Sequence, residues 1–474
     1  CNMKRIYFLC AVLVFSVVLF SGCKKWAAEK RNLYTPVVQA AQPISDAAPL
    51  CKNIKGTMLA GKTYNIGCDV IINAGDTLMI QPGVHINVMN HAGIFVQGSL
   101  ISLGTKTAPI WITVDSLQKL KNDAPGQDPS TDVAFAGGWP GIYCAGNCPS
   151  LILKWTHVEF GGSALTISQG AFVNQSAGTA FSILFQNSKG IFVMEDSWLY
   201  GGVDDPIRIS NGKIAFMRNT FEKGGIHGGD CLNCKGGTVG DMAYNLFVGM
   251  ATNGQKASNK GQPVGGSQTN INMWNNTFVS CGYRQIQSGR GANINFEEGA
   301  RGMAYNNLMV NCKFGLRIVN NPPADTLNIH YGYNYEYGDS LAVVNQIYPT
   351  NASLSGGWTR PQSTDIPDYT RFLAASYKYG DVYDATPVVQ KNNPQFYNFP
   401  LPVPNRIPLF GIQAVAGYDF RLQPTSPAIG KGYTSFGPLA AVPIDPVYGV
   451  TELTLPGKDI GAFQFNGTGN QHHP

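Results

Sequence analysis

Charged side chains are scarce in this chain, so the places where they gather mark candidate chemistry. Between Gly282 and Ile318 stand Arg284, Arg290, Glu297, Glu298, Arg301, Lys313 and Arg317. Guanidinium forks match carboxylates and sulfates through paired hydrogen bonds, so Arg290, Arg301 and Arg317 are candidate binding groups for an acidic sugar. Glu297 and Glu298 end the run Asn293-Ile-Asn-Phe-Glu-Glu, and with asparagine oxygens they offer a hard-cation site for Ca²⁺. The plainer alternative is a solvated face on which these charges cap loops and pair with each other. A second constellation joins Asp204 and Asp205 to the glycine-flanked His227, with Asp230 close by. Neighbouring carboxyl groups can divide acid and base roles, although Asp-Asp-Pro is also ordinary turn chemistry. Tyr331, Tyr333, Tyr335 and Tyr337 alternate. On one strand they would share a face, making Tyr333 and Tyr335 platforms for sugar rings or a cover for the last coils. Lys256 and Lys260 read as solvated loop residues, and His85, His91 and His157 as core or turn residues.

The composition limits what could position these groups. Lys and Arg number 34 and Asp and Glu 29, so 13% of 474 residues are charged, about half the roughly 25% of an ordinary domain. With 55 Gly, 29 Pro and 44% hydrophobic residues, a helical bundle and a disordered chain are both excluded. A net charge of +5 without a basic stripe gives no nucleic-acid footprint.

Met3-Lys4-Arg5 opens a short positive region, and Ile6 to Phe20 is apolar. This is too short for a membrane span of about 20 residues and reads as a signal peptide. Ser21-Gly22-Cys23 at its end resembles the lipobox of bacterial lipoproteins, in which the cysteine becomes the lipid-bearing N-terminus. The expected organisation is a signal peptide over 1–22 and a lipidated tether over 23–48. Eight cysteines follow Cys23. An even number in an exported chain favours disulfides, with Cys51–Cys68 and Cys144–Cys148 as plausible pairs. Cys231 and Cys234 lack the partners of a zinc set.

From Asp76 onward the chain is a series of short runs with period-two alternation, divided by glycines, and this predicts strands. The helical candidate is Tyr369 to Tyr379, within an insertion. Ser197-Trp-Leu, Asn219-Thr-Phe, Asn245-Leu-Phe, Asn276-Thr-Phe, Asn307-Leu-Met and Asn334-Tyr-Glu recur at intervals of 22, 26, 31, 31 and 27 residues. Strand-rich repeats of that length without helices are turns of a solenoid, and propeller blades run longer. The asparagines are expected to stack in one turn, Phe221, Phe247 and Phe278 in the core, and Cys281 above Cys312. The predicted fold is an all-β, right-handed parallel β-helix over 49–350, with a loop-rich insertion and closing segment over 351–474.

Gly75-Asp-Thr-Leu-Met-Ile-Gln-Pro-Gly-Val84, Trp139-Pro-Gly-Ile142 and Asp419-Phe-Arg-Leu-Gln-Pro-Thr-Ser-Pro-Ala-Ile-Gly430 resemble segments of right-handed β-helix lipoproteins in the pectin-lyase-like superfamily. The resemblance covers most of the chain from about residue 69 and implies polysaccharide binding or cleavage. Lyases of that superfamily neutralise a uronate carboxylate with a cation or Arg and remove the C5 proton with Lys or Arg. By that likeness Lys313 or Arg284 would be the base. Asp204, Asp205 and His227 faintly resemble the polygalacturonase-type hydrolases, but no aspartate stands one coil earlier, and Leu316-Arg317-Ile318 only partly echoes the family's basic motif. The leading expectation is therefore a monomeric, lipid-anchored binder of an acidic polysaccharide at the outer membrane or surface of a Gram-negative cell. A lyase, a hydrolase and a structural adhesin or scaffold are the alternatives.

Overall fold

A computed structural model describes residues 42–119, 129–287, 290–319, 322–340, 343, 393–404, 409–415 and 417–470. The expected signal peptide, Cys23 and the helical candidate Tyr369–Tyr379 lie outside these residues, as does most of the tether.

Short apolar-alternating segments separated by tight turns cannot bury a face alone, so each coil stacks on the next. Three strands make one coil, as in Lys213–Met217, Thr220–Glu222 and Leu232–Cys234. Every ladder of the solenoid is parallel. Ten strands form the first face. The second and third faces are joined through the long strand Thr63–Ile72, which pairs with His85–Val88 by its first half and with Ile94–Val96 by its second, in one 19-stranded sheet. The expected parallel β-helix is therefore the fold, with the crossover hand that parallel strands impose. Inward positions from all three faces make one continuous core running from Ile54 to Val343.

The asparagine repeat becomes a buried ladder in the turn between the first and second faces. Asn219 Nδ2 donates to Asn245 Oδ1 at 3.0 Å, Asn245 to Asn276 at 3.0 Å, Asn276 to Asn307 at 2.9 Å and Asn307 to Asn334 at 2.9 Å. The same oxygens also accept backbone N–H groups, as Asn276 Oδ1 does from Asn245 N at 3.0 Å. Phe221, Phe247 and Phe278 stack at centroid distances of 5.0 and 4.7 Å. Cys281 and Cys312 occupy equivalent positions as free thiols, donating to the carbonyls of Phe247 and Phe278.

Cys51 and Cys68 are bonded, but Cys144 and Cys148 are free and buried. Cys231 and Cys234 face the core, where burial pushes their thiols well above the ordinary range. This makes them inert packing residues.

The C-terminal segment does more than close the last coils. It runs back along the first and second faces, with Ala462 N bonded to Thr277 Oγ1 at 2.8 Å and Thr451 Oγ1 to Glu195 Oε2 at 2.6 Å. Lys154 Nζ reaches Pro446 O at 2.9 Å. The buried carboxylate of Asp241 accepts Leu439 N at 2.9 Å and Ala440 N at 2.8 Å. Burial pushes that carboxyl up to about 7, against the pull of the two N–H groups. A folded value above the unfolded value of about 3.9 means that this group's contribution is fully present below about pH 4 and is lost as pH rises to about 7. Wild type should therefore lose stability relative to Asp241→Asn between pH 4 and 8, read from paired melting midpoints. Parallel pH profiles for the two proteins would refute the assignment.

Candidate functional site

The third face alternates strictly, and its outward column changes character along the solenoid. Ile71, Phe95, Tyr143 and Leu184 are in register at its start. They are covered by the segment holding the short helix Ile167–Phe172, with Phe95 and Phe172 edge to face at 5.5 Å. From the strand Ile207–Ile209 onward the column becomes Arg208, Asn233, Lys256, Asn295 and Arg317, each paired with the next. Four strand spacings of about 4.8 Å make a polar track about 19 Å long. Ile207 and Ile209, Leu232 and Cys234, and Leu316 and Ile318 point inward beneath it.

The turns entering and leaving these strands turn the track into an open cleft of about 450 Å³. Asp204, Asp205, Asp230, Thr252, Asn253, Gln285 and Arg290 form the entering wall, and Lys235, Glu297, Glu298, Val319 and Pro322 the leaving wall. The structure thus unites two constellations that lie some ninety residues apart in sequence. No described residue of the C-terminal segment lines the cleft.

Most carboxylates in the cleft are matched. Asp205 pairs with Arg208 and accepts Asn233 Nδ2 at 2.8 Å and Asp230 N at 2.6 Å. Lys256 Nζ bridges Asp230 at 3.1 Å and Glu297 at 2.8 Å. Burial alone would raise Asp230, but the Lys256 charge and hydrogen bonds from Lys256 and Asn253 outweigh it and hold the carboxyl below its usual range. Asp204, exposed at the rim, behaves oppositely. Partial desolvation by the walls and the charge of Asp205 push it up to about 6, with Arg208 opposing. Lys235 is lowered, first by burial and then by the like charges of Arg208 and Lys256. Among the described residues, neither Lys235 nor Arg290 has an ion-pair partner. Separated titrations of neighbouring groups are the raw material of acid–base chemistry. Asp204 can stay protonated while Asp230 is ionised, and Lys235 is the cation most readily deprotonated.

Several expected residues are elsewhere. Arg284 is buried, stacks over Phe135 and spends its guanidinium on the carbonyls of Gly224, Gly225 and Phe410 at 2.8–3.0 Å. Burial lowers it to about 10, yet it has no path to a substrate and serves as a structural pin. Lys313 donates to Gln285 O at 2.8 Å, supporting the entering wall from behind. Arg301 is on the first face, paired in register with Asn270. His227 is exposed and outside the cleft lining. The four tyrosines do not share one strand, because Tyr333 turns the chain with φ 53°. Tyr331 is in the core, Tyr335 and Tyr337 lie under the C-terminal segment, and Tyr333 stacks on Tyr433 at 5.1 Å. Glu297 and Glu298 do line the cleft, but Glu297 is held by Lys256 and Asn295, and Glu298 by Ser258. Among the described residues no three His, Cys, Asp or Glu side chains are grouped to hold a metal.

Sequence reasoning passed over Arg208, Asn233 and Lys235, and it put Lys256 on a solvated loop. Lys256 is instead a buried member of the strand Gln255–Ser258. The available signal was one polar residue between two inward residues, repeated once per coil. No protein-family model and no curated protein matches this chain.

Proposed function

We propose that this chain is a polysaccharide-binding protein of the cell envelope, with an anionic glycan lying along the third face. The observation carrying this reading is the outward column itself, apolar and covered as far as Leu184, then polar and open from Arg208 to Arg317. A track parallel to the solenoid axis suits an extended polymer. Arg290 and Lys235 supply cations that no carboxylate among the described residues pairs with, and Arg317 a guanidinium fork for carboxylate or sulfate. Lipidation at Cys23, attachment to a Gram-negative outer membrane or cell surface, and membership of the pectin-lyase-like superfamily belong to the same proposal. They rest on the lipobox-like and β-helix-like motifs.

A second reading, β-elimination on a uronate, is favoured by Lys235. Its titration, lowered by burial and by the charges of Arg208 and Lys256, and its place in the cleft wall suit proton abstraction beside an arginine-neutralised carboxylate. The intact chain is to be tested on polyuronate, sulfated and neutral gels, with absorbance read for unsaturated ends. Retention on anionic gels that weakens with salt, and falls about tenfold or more in Arg317→Gln, is expected. Unsaturated ends that vanish in Lys235→Ala would make it a lyase. New reducing ends without unsaturation would give the acid role to Asp204. Indifference to every anionic polymer would reject the binding reading.

A further inference from the structure

The second face carries a column of a different kind. His85, Trp111, His157 and Trp198 are consecutive in register, with ring centroids 3.9 Å apart between Trp111 and His157 and 6.0 Å between His157 and Trp198. Farther along, the same column continues as Thr220, Leu246, Thr277 and Leu308. There the C-terminal segment packs over Leu246 and Leu308. That cover ends at Ala414 and Val415, and beyond it the aromatic column lines an open cleft of about 450 Å³, with Leu117 and Phe160 extending its apolar surface.

We propose that this cleft is a second glycan site, one that takes an uncharged sugar ring. Its polar groups stand beside aromatic carbon, and each is already engaged by a neighbour in the wall. His85 Nε2 lies 2.7 Å from Asp115 Oδ1, Thr113 Oγ1 donates to Glu159 at 3.1 Å, and Lys119, over the Trp198 ring at 4.2 Å, pairs with Glu222. An anionic sugar would meet Asp115 and Glu159 and be repelled. An alkyl chain would strip water from those carboxylates without giving them a donor, which is costly. A neutral sugar brings both complements, a C–H face for the aromatic floor and vicinal hydroxyls that donate to carboxylate oxygens. This inference is independent of the anionic groove, because the two clefts share no lining residue.

The test is titration of the intact chain with neutral cello-, xylo- and manno-oligosaccharides, followed by tryptophan fluorescence, alongside retention on the anionic gels. Saturable quenching by at least one neutral series is expected, weakened about tenfold or more in Trp111→Ala, with anionic retention unchanged. Trp111 is only partly buried, so that variant should fold. Glu159→Gln, which keeps the shape, gives a second reading and should also weaken binding. The proposal is overturned if no neutral oligosaccharide binds up to about 10 mM, or if binding is equal in both variants and wild type. Neutral binding without anionic retention would reject only the groove reading, and the converse only this one.

Discussion

Lys256→Met should destabilise the coils around the cleft by about 3–5 kcal/mol at neutral pH, the usual cost of leaving buried charges without their partner. Lys256 pairs with both Asp230 and Glu297, and all three side chains are less than one-fifth exposed. Without it two carboxylates would face each other in a desolvated wall. The pH dependence follows from Asp230, whose folded value lies below its ordinary one because Lys256 and its hydrogen bonds overcome burial. Such a group contributes stability above its unfolded value and loses it as pH falls through the folded value. The gap between wild type and Lys256→Met should therefore be widest near pH 7 and should narrow below about pH 4. Urea midpoints at both ends of that range test it. A gap below about 1 kcal/mol, or one that ignores pH, would show that the bridge contributes little. Lys256→Arg, which keeps the charge, should recover part of the loss.

Asn276→Ala should cost a similar amount for a different reason. Asn276 Oδ1 accepts both Asn245 N and Asn245 Nδ2 at 3.0 Å, while its own Nδ2 donates to Met242 O and Asn307 Oδ1. Alanine would leave two buried donors and two buried acceptors short of partners in a place water does not reach. At about 1–3 kcal/mol for each group left unsatisfied, with some relaxation, a loss of about 3–5 kcal/mol is expected. Because the strand ladders join each coil only to its neighbours, the break should also make unfolding less cooperative. Circular dichroism through a denaturant series reads both effects. A single unshifted transition, or a loss no larger than that of the partly exposed Asn270→Ala, would mean that the ladder is ornamental.

The sequence by itself determined the coil. Asn219, Asn245, Asn276, Asn307 and Asn334 recur because each must meet its neighbour's amide. Phe221, Phe247 and Phe278 recur because each fills the same core position. These requirements are local to one repeat, so they leave a legible period. Part of the site was also legible, since Asp204, Asp205, Arg290, Glu297, Glu298 and Arg317 stand out in a charge-poor chain and do line one cleft.

Only the tertiary structure decided which charges share that cleft and which do not. In a pleated strand one residue of register sends a side chain inward or outward. Arg284, in a turn between strands, became a buried pin against Phe135 and the carbonyls of Gly225 and Phe410, and Lys256, in the outward column, a buried bridge between Asp230 and Glu297, though both looked solvent-facing from their neighbours. Face by face, the decision fell to distant contacts. The C-terminal segment docks on Asp241, Glu195 and Thr277, covering the first two faces along much of their length. The third face is left open from Arg208 to Arg317, and a short aromatic stretch of the second from His85 to Trp198. No repeat carries that information, because it depends on a segment more than a hundred residues away settling over some coils and stopping short of others.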